Sequence, residues 1–205
     1  MKDLGKRFAQ LQLGLVIYGV SMALMIRAHL GTMPWDVFHQ GVAVQTHLPF
    51  GWIVAGTGAL VLLLWIPLRQ KPGVGTISNV LVIGFVAELT LRIMPEPGPL
   101  PVRIGLLLSG VVLNGLAGGL YIGARLGPGP RDGLMTGLAA KTGRSIRLIR
   151  TLIEIAVVTS GWLLGGTLGI GTLLYAVAIG PLVQFFLARL TAPTARLAAP
   201  PTREA

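Results

Sequence analysis

Two aspartates, Asp36 and Asp132, each stand two residues after a proline in the pattern Leu-Gly-x-x-Pro-x-Asp. The first copy reads LGTMPWD from Leu30 and the second LGPGPRD from Leu126, 96 positions later. Both follow long apolar runs, which places their carboxylates in or near an oily phase. A charged side chain there is costly, and it marks an ion, proton or substrate path by default. His39 follows Asp36 by one helical turn, and Arg131 directly precedes Asp132. Glu88 lies inside another apolar run, where the second half of the chain has Gln184. Asp36, Asp132, Arg131, His39 and Glu88 are therefore the candidate groups for holding a solute, cation or proton. Glu88, which has no evident partner in sequence, is the foremost candidate for proton coupling. A plainer reading stands beside this one. An aspartate in the first turn of a helix sits among N–H groups that lack intrahelical partners and suits the helix dipole. Asp36 and Asp132 would then only cap their helices, and the two readings are compatible.

Other residue patterns carry less chemistry. Gly73-Val-Gly75-Thr76 and Gly169-Ile-Gly171-Thr172 each precede an apolar run, as a turn whose threonine accepts an N2 or N3 amide. No lysine follows them as in a phosphate-binding loop. With Gly31, Pro34, Gly127 and Pro130 they are expected to be structural turns. Arg150 and Glu154 have the spacing of a local helical ion pair. Lys141, Arg144, Arg147 and Arg150 recur every third residue, a basic face suited to anionic lipid at a cytoplasmic mouth. There is no cysteine, so disulfides, thiolate metal sites and cysteine nucleophiles are excluded. No His-Glu-x-x-His or Gly-x-Ser-x-Gly motif and no dense aspartate cluster is present, so no enzyme, cofactor or metal site is expected.

The elements that must position these groups are helices in a bilayer. Hydrophobic residues make up 53% and charged residues 12%, too little charge to wet the surface of a soluble domain. The mean hydropathy is +0.74. Apolar runs at 11–28, 51–68, 74–94, 102–124, 146–164 and 171–190 approach the length of about 20 residues that crosses a bilayer core. Two helical segments, 35–46 and 131–142, are too short, since 12 residues rise only about 18 Å. They read as half-helices that must be buried in protein or line a cavity. The net charge of +10 is assigned to residues retained in the cytoplasm rather than to nucleic-acid binding.

The chain repeats itself. Sliding 14–94 onto 110–190 without a gap gives 22 identities in 81 pairs, among them both Pro-x-Asp and both Gly-x-Gly-Thr motifs. A shared offset of this kind signals duplication. Three spans per repeat is an odd number, so the second repeat enters from the opposite side. With a cytoplasmic N-terminus, 14 of the 17 basic residues lie inside and only Arg27, Arg92 and Arg103 lie outside. Counting the half-helices as spans would worsen that split to 12 against 5. The expected protein is thus an all-α membrane protein with six transmembrane helices, two half-helices and two inverted three-span repeats. Its parts are a cytoplasmic N-terminus at 1–10, repeat 1 at 11–94, a loop leading into the second repeat at 95–106, repeat 2 at 107–190 and a disordered tail at 191–205.

The block LGPGPRDGL at 126–134, followed by TGRSIRLIRTLIE and GGTLGIGTLLYAVAIGPLVQFF, resembles the YczE-like branch of the YczE/YyaS/YitT bacterial membrane proteins. The resemblance covers most of the chain, and LGTMPWDVF in the first half is compatible with it. It implies a multi-pass membrane protein and hands over no substrate or catalytic residue. The expected function rests on the repeat and the acids: a small transporter or channel-like protein of the cytoplasmic membrane, for a small solute or ion, with both termini cytoplasmic. The alternative is a membrane accessory or assembly protein whose Pro-x-Asp turns only cap helices. The expected partner is the lipid bilayer, without nucleic acid. A homodimer is compatible with the sequence, although nothing marks an interface.

Overall fold

The computed structural model describes residues 2–190, and the expected disordered tail at 191–205 lies outside the described residues. Those residues form eight helices: α1 Lys2–Ala28, α2 Pro34–Thr46, α3 Phe50–Trp65, α4 Val74–Ile93, α5 Leu100–Ala124, α6 Pro130–Thr142, α7 Ile146–Leu163 and α8 Ile170–Leu190. The starts of α2 and α6, of α3 and α7, and of α4 and α8 are each 96 positions apart, the offset of the sequence repeat. The half-helices begin one residue earlier than expected, because Pro34 and Pro130 take the first helical position. A missing N–H costs nothing there, and proline's fixed φ suits the turn. Residues 2–10, expected as the cytoplasmic N-terminus, are helical and form the first turns of α1. α5 likewise starts within the expected loop. α3 stops at Trp65, short of the expected 68, where Pro67 follows and Arg69 turns left-handed at φ 53°.

Four helices, α1, α4, α5 and α8, are long and apolar enough to cross a membrane. A fifth crossing follows if α2 and α3, bent by 116°, are taken as one broken span. α3 has 16 residues, or about 24 Å at the helical rise. α7 carries Arg147, Arg150 and Glu154 along its first half.

Contacts fix the helix directions. α1 and α5 are antiparallel. Arg7 Nε donates to Ala124 O at one end, and Arg103 Nε donates to Ala28 O at the other, both at 2.8 Å. α1 and α4 are parallel, with Gln12 in the first half of α1 bonded to Ser78 near the start of α4 and Arg27 in the last turn of α1 paired with Glu96 just past the end of α4. α5 and α8 are also parallel, with Asn114 bonded to Tyr175 and Gly119 against Phe186. The chain between α1 and α4 must therefore return across the bundle. α3 makes that return, running antiparallel to α4, with Gly51 against Gly84 and Gly58 against Val80.

The centre is the α1–α5 pair. Leu11, Leu15, Met22 and Met25 pack on Leu107, Val111 and Ala124. Close approach needs small residues, as is usual between helices in lipid. A Cβ on Gly14 would lie 3.0 Å from the Tyr121 amide nitrogen, and one on Gly110 would lie 3.0 Å from Ser21 O. Outward faces are apolar instead, with Trp52, Ile66, Phe85, Ile170 and Val177 largely exposed. In a bilayer these side chains meet lipid.

Candidate functional site

Each Leu-Gly turn is clasped by the Gly-x-Gly-Thr turn of the other half. Gly75 N donates to Leu126 O at 2.8 Å, and Gly171 N donates to Leu30 O at 2.7 Å. His29 and Arg125 end their helices in the left-handed region, at φ 48° and 52°. Gly31 and Gly127 follow at φ 102° and 127°, a backbone that favours glycine. The space is closed as well, since a Cβ on Gly31 would sit 2.8 Å from Gly169 N. The threonines act differently from the expected N-caps. Thr76 takes the Gly73 amide and donates to Pro128 O at 2.7 Å, so it holds the opposite turn as well as its own helix.

These clasps feed both segments inward, where the starts of α2 and α6 meet. Asp36 and His39 are buried, at 0% and 1% exposure. His39 Nδ1 is 3.1 Å from Asp36 Oδ1. From α6, Arg131 reaches across to the same oxygen, with Nη2 at 3.9 Å. Its guanidinium lies over the Trp35 ring, 4.9 Å from the centroid, and its Nη1 is 3.7 Å from Met33 Sδ. No oxygen within hydrogen-bond distance accepts from Arg131 among the described residues. Asp132 accepts from the Tyr121 hydroxyl at 3.0 Å. A cavity of about 100 Å³ opens here, lined by Tyr18, Trp35, His39, Asn79, Tyr121, Arg131 and Asp132 among others.

Four buried polar atoms around the start of α2 lack a hydrogen-bond partner among the described residues: Thr32 Oγ1, Trp35 Nε1, Asp36 Oδ2 and His39 Nε2. Buried polar groups are nearly always paired, so four such atoms around one helix start set this place apart from the rest of the interior. Among the described residues the Asp36 carboxylate makes no hydrogen bond to the amides of its own first turn, and neither N-cap residue, Met33 or Gly129, makes a side-chain cap. The hydrogen bond that Asp36 does make there goes to an imidazole.

The structure brings together Asp36, His39, Arg131 and Asp132 and leaves Glu88 apart. Glu88 accepts from the Gly51 amide at 3.1 Å and from Arg92 Nε at 2.8 Å, in an apolar groove between α3 and α4. Its partner is Arg92, one helical turn on, which corrects the expectation that Glu88 has no evident partner in sequence. The Arg150–Glu154 pair forms as expected, at 2.8 Å. Several residues of the site escape sequence reasoning. Trp65 donates to Pro130 O at 3.0 Å and lies flat on Gly133, fixing the start of α6. A buried chain ties α1, α5 and α8 beside the cavity: Tyr175 OH donates to Asn114 Oδ1, and Asn114 Nδ2 donates to Ser21 Oγ. The available signal was a polar residue, Asn114, in the middle of an apolar run.

Comparisons with known proteins place the chain in a family. Residues 5–188 match a family of unknown function, DUF6198. An uncharacterized protein of Haemophilus influenzae is 40% identical over 89% of this chain and 84% of its own length. The uncharacterized membrane protein YczE of Bacillus subtilis is 33% identical over 85% of this chain and 82% of its own. YyaS of the same organism is 27% identical over 85% of this chain and 89% of its own. No solved structure matches the chain.

Proposed function

We propose for this chain, which belongs to the family of unknown function DUF6198 and is a YczE-like helical membrane protein, that it is a small transporter or channel-like protein for a small solute or ion. The observation that carries this reading is the cavity where the two half-helix starts meet, with Asp36, His39, Arg131 and Asp132 around it and four unpartnered polar atoms at the start of α2. Broken helices that converge at a central site are the usual construction of transporters built from inverted repeats.

On this reading α3 and α7 complete six spans, and the halves are inverted copies with both termini cytoplasmic. The antiparallel α1–α5 pair and the two parallel pairs, α1–α4 and α5–α8, support that arrangement, because each half then crosses an odd number of times. The basic residues support the orientation. The protein resides in the cytoplasmic membrane, its partner is the bilayer, and it works without catalysis or cofactor. A homodimer is compatible with this reading.

The test uses the absence of cysteine. Single cysteines at the equivalent exposed positions Leu48 and Arg144 report sidedness, and labelling by an impermeant maleimide from opposite faces is expected. Single cysteines at Thr57 and Asn79, which line the cavity, report access. Transport requires that a small thiol reagent reach them from both faces of oriented vesicles. Protection from both faces overturns the reading in favour of an accessory protein. Asp36→Asn combined with Asp132→Asn should abolish any transport while leaving folded yield near wild type. Loss of folded protein from each single change would instead support capping.

A further inference from the structure

The repeated acids draw attention to themselves in sequence, but their neighbours differ. Asp132 is satisfied by a tyrosine hydroxyl. Asp36 meets an imidazole through Oδ1 and keeps Oδ2 without a partner among the described residues, and His39 has no counterpart in the second half, where Met135 stands. His39 lines the cavity, is 1% exposed, and keeps its Nε2 without a partner among the described residues. The ring is set in place by aromatic walls: Trp35 at 6.5 Å, Phe38 at 6.1 Å and Phe50 edge-on at 5.9 Å between centroids. A carboxylate on one ring nitrogen fixes the tautomer and leaves the other nitrogen's lone pair for the opposite side. Here that lone pair belongs to Nε2.

We infer that His39 is the proton-binding group of the cavity, that Asp36 is the positioning residue that orients it, and that proton uptake weakens the tie between Asp36 and Arg131. This rests on the transport reading only for the use to which the proton is put. The step is simple to balance. The Nε2 lone pair takes H⁺ from water or solute in the cavity, one N–H bond forms, and the charge of the ring rises by one. The same proton leaves from Nε2 when the cavity faces the other side. The coupling follows from a shared atom. His39 and Arg131 both address Asp36 Oδ1, one from α2 and the other from α6. A charged imidazole strengthens its own hold on that oxygen and repels the guanidinium, so Arg131 is released toward the cavity. Because α2 belongs to one half and α6 to the other, occupancy by a proton changes how the halves are held together.

The charged and titratable groups around His39 are few. Asp36 lies on its own helix, Arg131 and Asp132 lie on α6, and Tyr18 and Tyr121 from α1 and α5 share the cavity. Tyr175 of α8 stands behind Tyr18, and from α7 come the backbone of Gly161 against α2 and Arg150, which is paired with Glu154 and also acts on Asp132. From α3 comes the Phe50 ring. Formal charges favour a proton as the ligand: Asp36 and Asp132 face Arg131, the Arg150–Glu154 pair beside Asp132 adds no net charge, and one imidazolium brings the group to neutrality. A buried group that is not neutral is costly.

The experiment reads protonation directly. The chain has three histidines. His29 and His47, both left-handed and outside the cavity, are replaced by asparagine, which tolerates that backbone. The full chain, labelled with ¹⁵N-histidine, is placed in lipid nanodiscs and titrated from about pH 4 to about pH 9. The neutral ring should carry its hydrogen on Nδ1 and titrate in a single step. Asp36→Asn should abolish the tautomer preference and weaken proton binding about tenfold, one pH unit in midpoint. Arg131→Gln should strengthen it by about as much. An Nε2–H tautomer, a ring that does not titrate in the folded protein, or an Arg131→Gln midpoint equal to wild type would each overturn the inference. If Asp36→Asn does not fold, the Arg131→Gln midpoint and the wild-type tautomer still decide. A titrating His39 in a protein whose cavity cysteines are closed to both faces would retain the proton site and remove the transport reading.

Discussion

The starts of α2 and α6 share one motif and differ in nearly everything around it. Both begin with a proline, carry an aspartate two residues later, and follow a turn held by the opposite half. Around Asp36 stand an imidazole, an arginine from the other half and four unpartnered polar atoms. Around Asp132 stands a tyrosine hydroxyl. The packing differs too. α2 lies on α7 backbone to backbone, and a Cβ on Gly161 would be 2.4 Å from Phe38 N. α6 lies on α3 through Trp65, which covers Gly133. The same local scaffold occurs twice, and the substitutions on it surround one aspartate with ionisable and unpartnered groups and leave the other with a hydroxyl.

Changes at matched positions sharpen that contrast, each measured as unfolding free energy in detergent. Trp65→Ala removes a fully buried ring under the start of α6 and should cost about 3–5 kcal/mol. Trp65→Phe keeps most of the packing and loses the bond to Pro130 O, so only about 1 kcal/mol is expected. Equal losses would mean that the ring is not what holds α6. Gly161→Ala, at the equivalent position of the other half, fails for the opposite reason. It forces backbone apart rather than emptying space, at about 3 kcal/mol, the upper end for overpacking.

The two clasps should differ by less. Thr76 joins the Gly73 amide at 3.1 Å and Pro128 O at 2.7 Å, whereas Thr172 accepts only a 3.5 Å contact from Gly169 N. Thr76→Val is expected to cost about 1–2 kcal/mol and Thr172→Val about half as much. The reverse order would show that the clasp at the start of α8 is the tighter one. The smallest contrast is a control. Arg7 and Arg103 make matching bonds, each with one contact at 2.8 Å and one at 2.7 Å to the carbonyls ending the opposite helix. Arg7→Gln and Arg103→Gln should therefore cost the same, about 1 kcal/mol each. A clear inequality there would break the symmetry on which the other comparisons rest.

Much of the fold was legible in the chain because membrane folding writes its rules in composition. Length and hydropathy announce helices, proline marks their first turns, and fixed spacing exposes duplication. The bounds of the half-helices were readable to within a residue. The site was readable only in part. Asp36, His39, Arg131 and Asp132 were found because ionisable residues are rare in apolar surroundings. Glu88 was found for the same reason and belongs elsewhere, since scarcity says nothing about direction. Its partner Arg92 stands one turn away in the sequence itself, at the spacing of a helical ion pair. Trp65 and Tyr121 went unnoticed because an aromatic residue in an apolar run is ordinary until its neighbour is known.

By itself the sequence determined the class of protein, its helices, its two-fold repetition and the residues with chemistry to offer. These are local properties, set by side-chain hydrophobicity, backbone preference and spacing along the chain. The tertiary structure alone decided that α2 packs on α7 and α6 on α3, so that each half is completed by the other. It alone decided that His39 and Arg131, 92 positions apart in sequence, address one oxygen of Asp36. Contacts of this kind depend on which helix faces meet and how closely glycine lets them approach, and no local pattern records that.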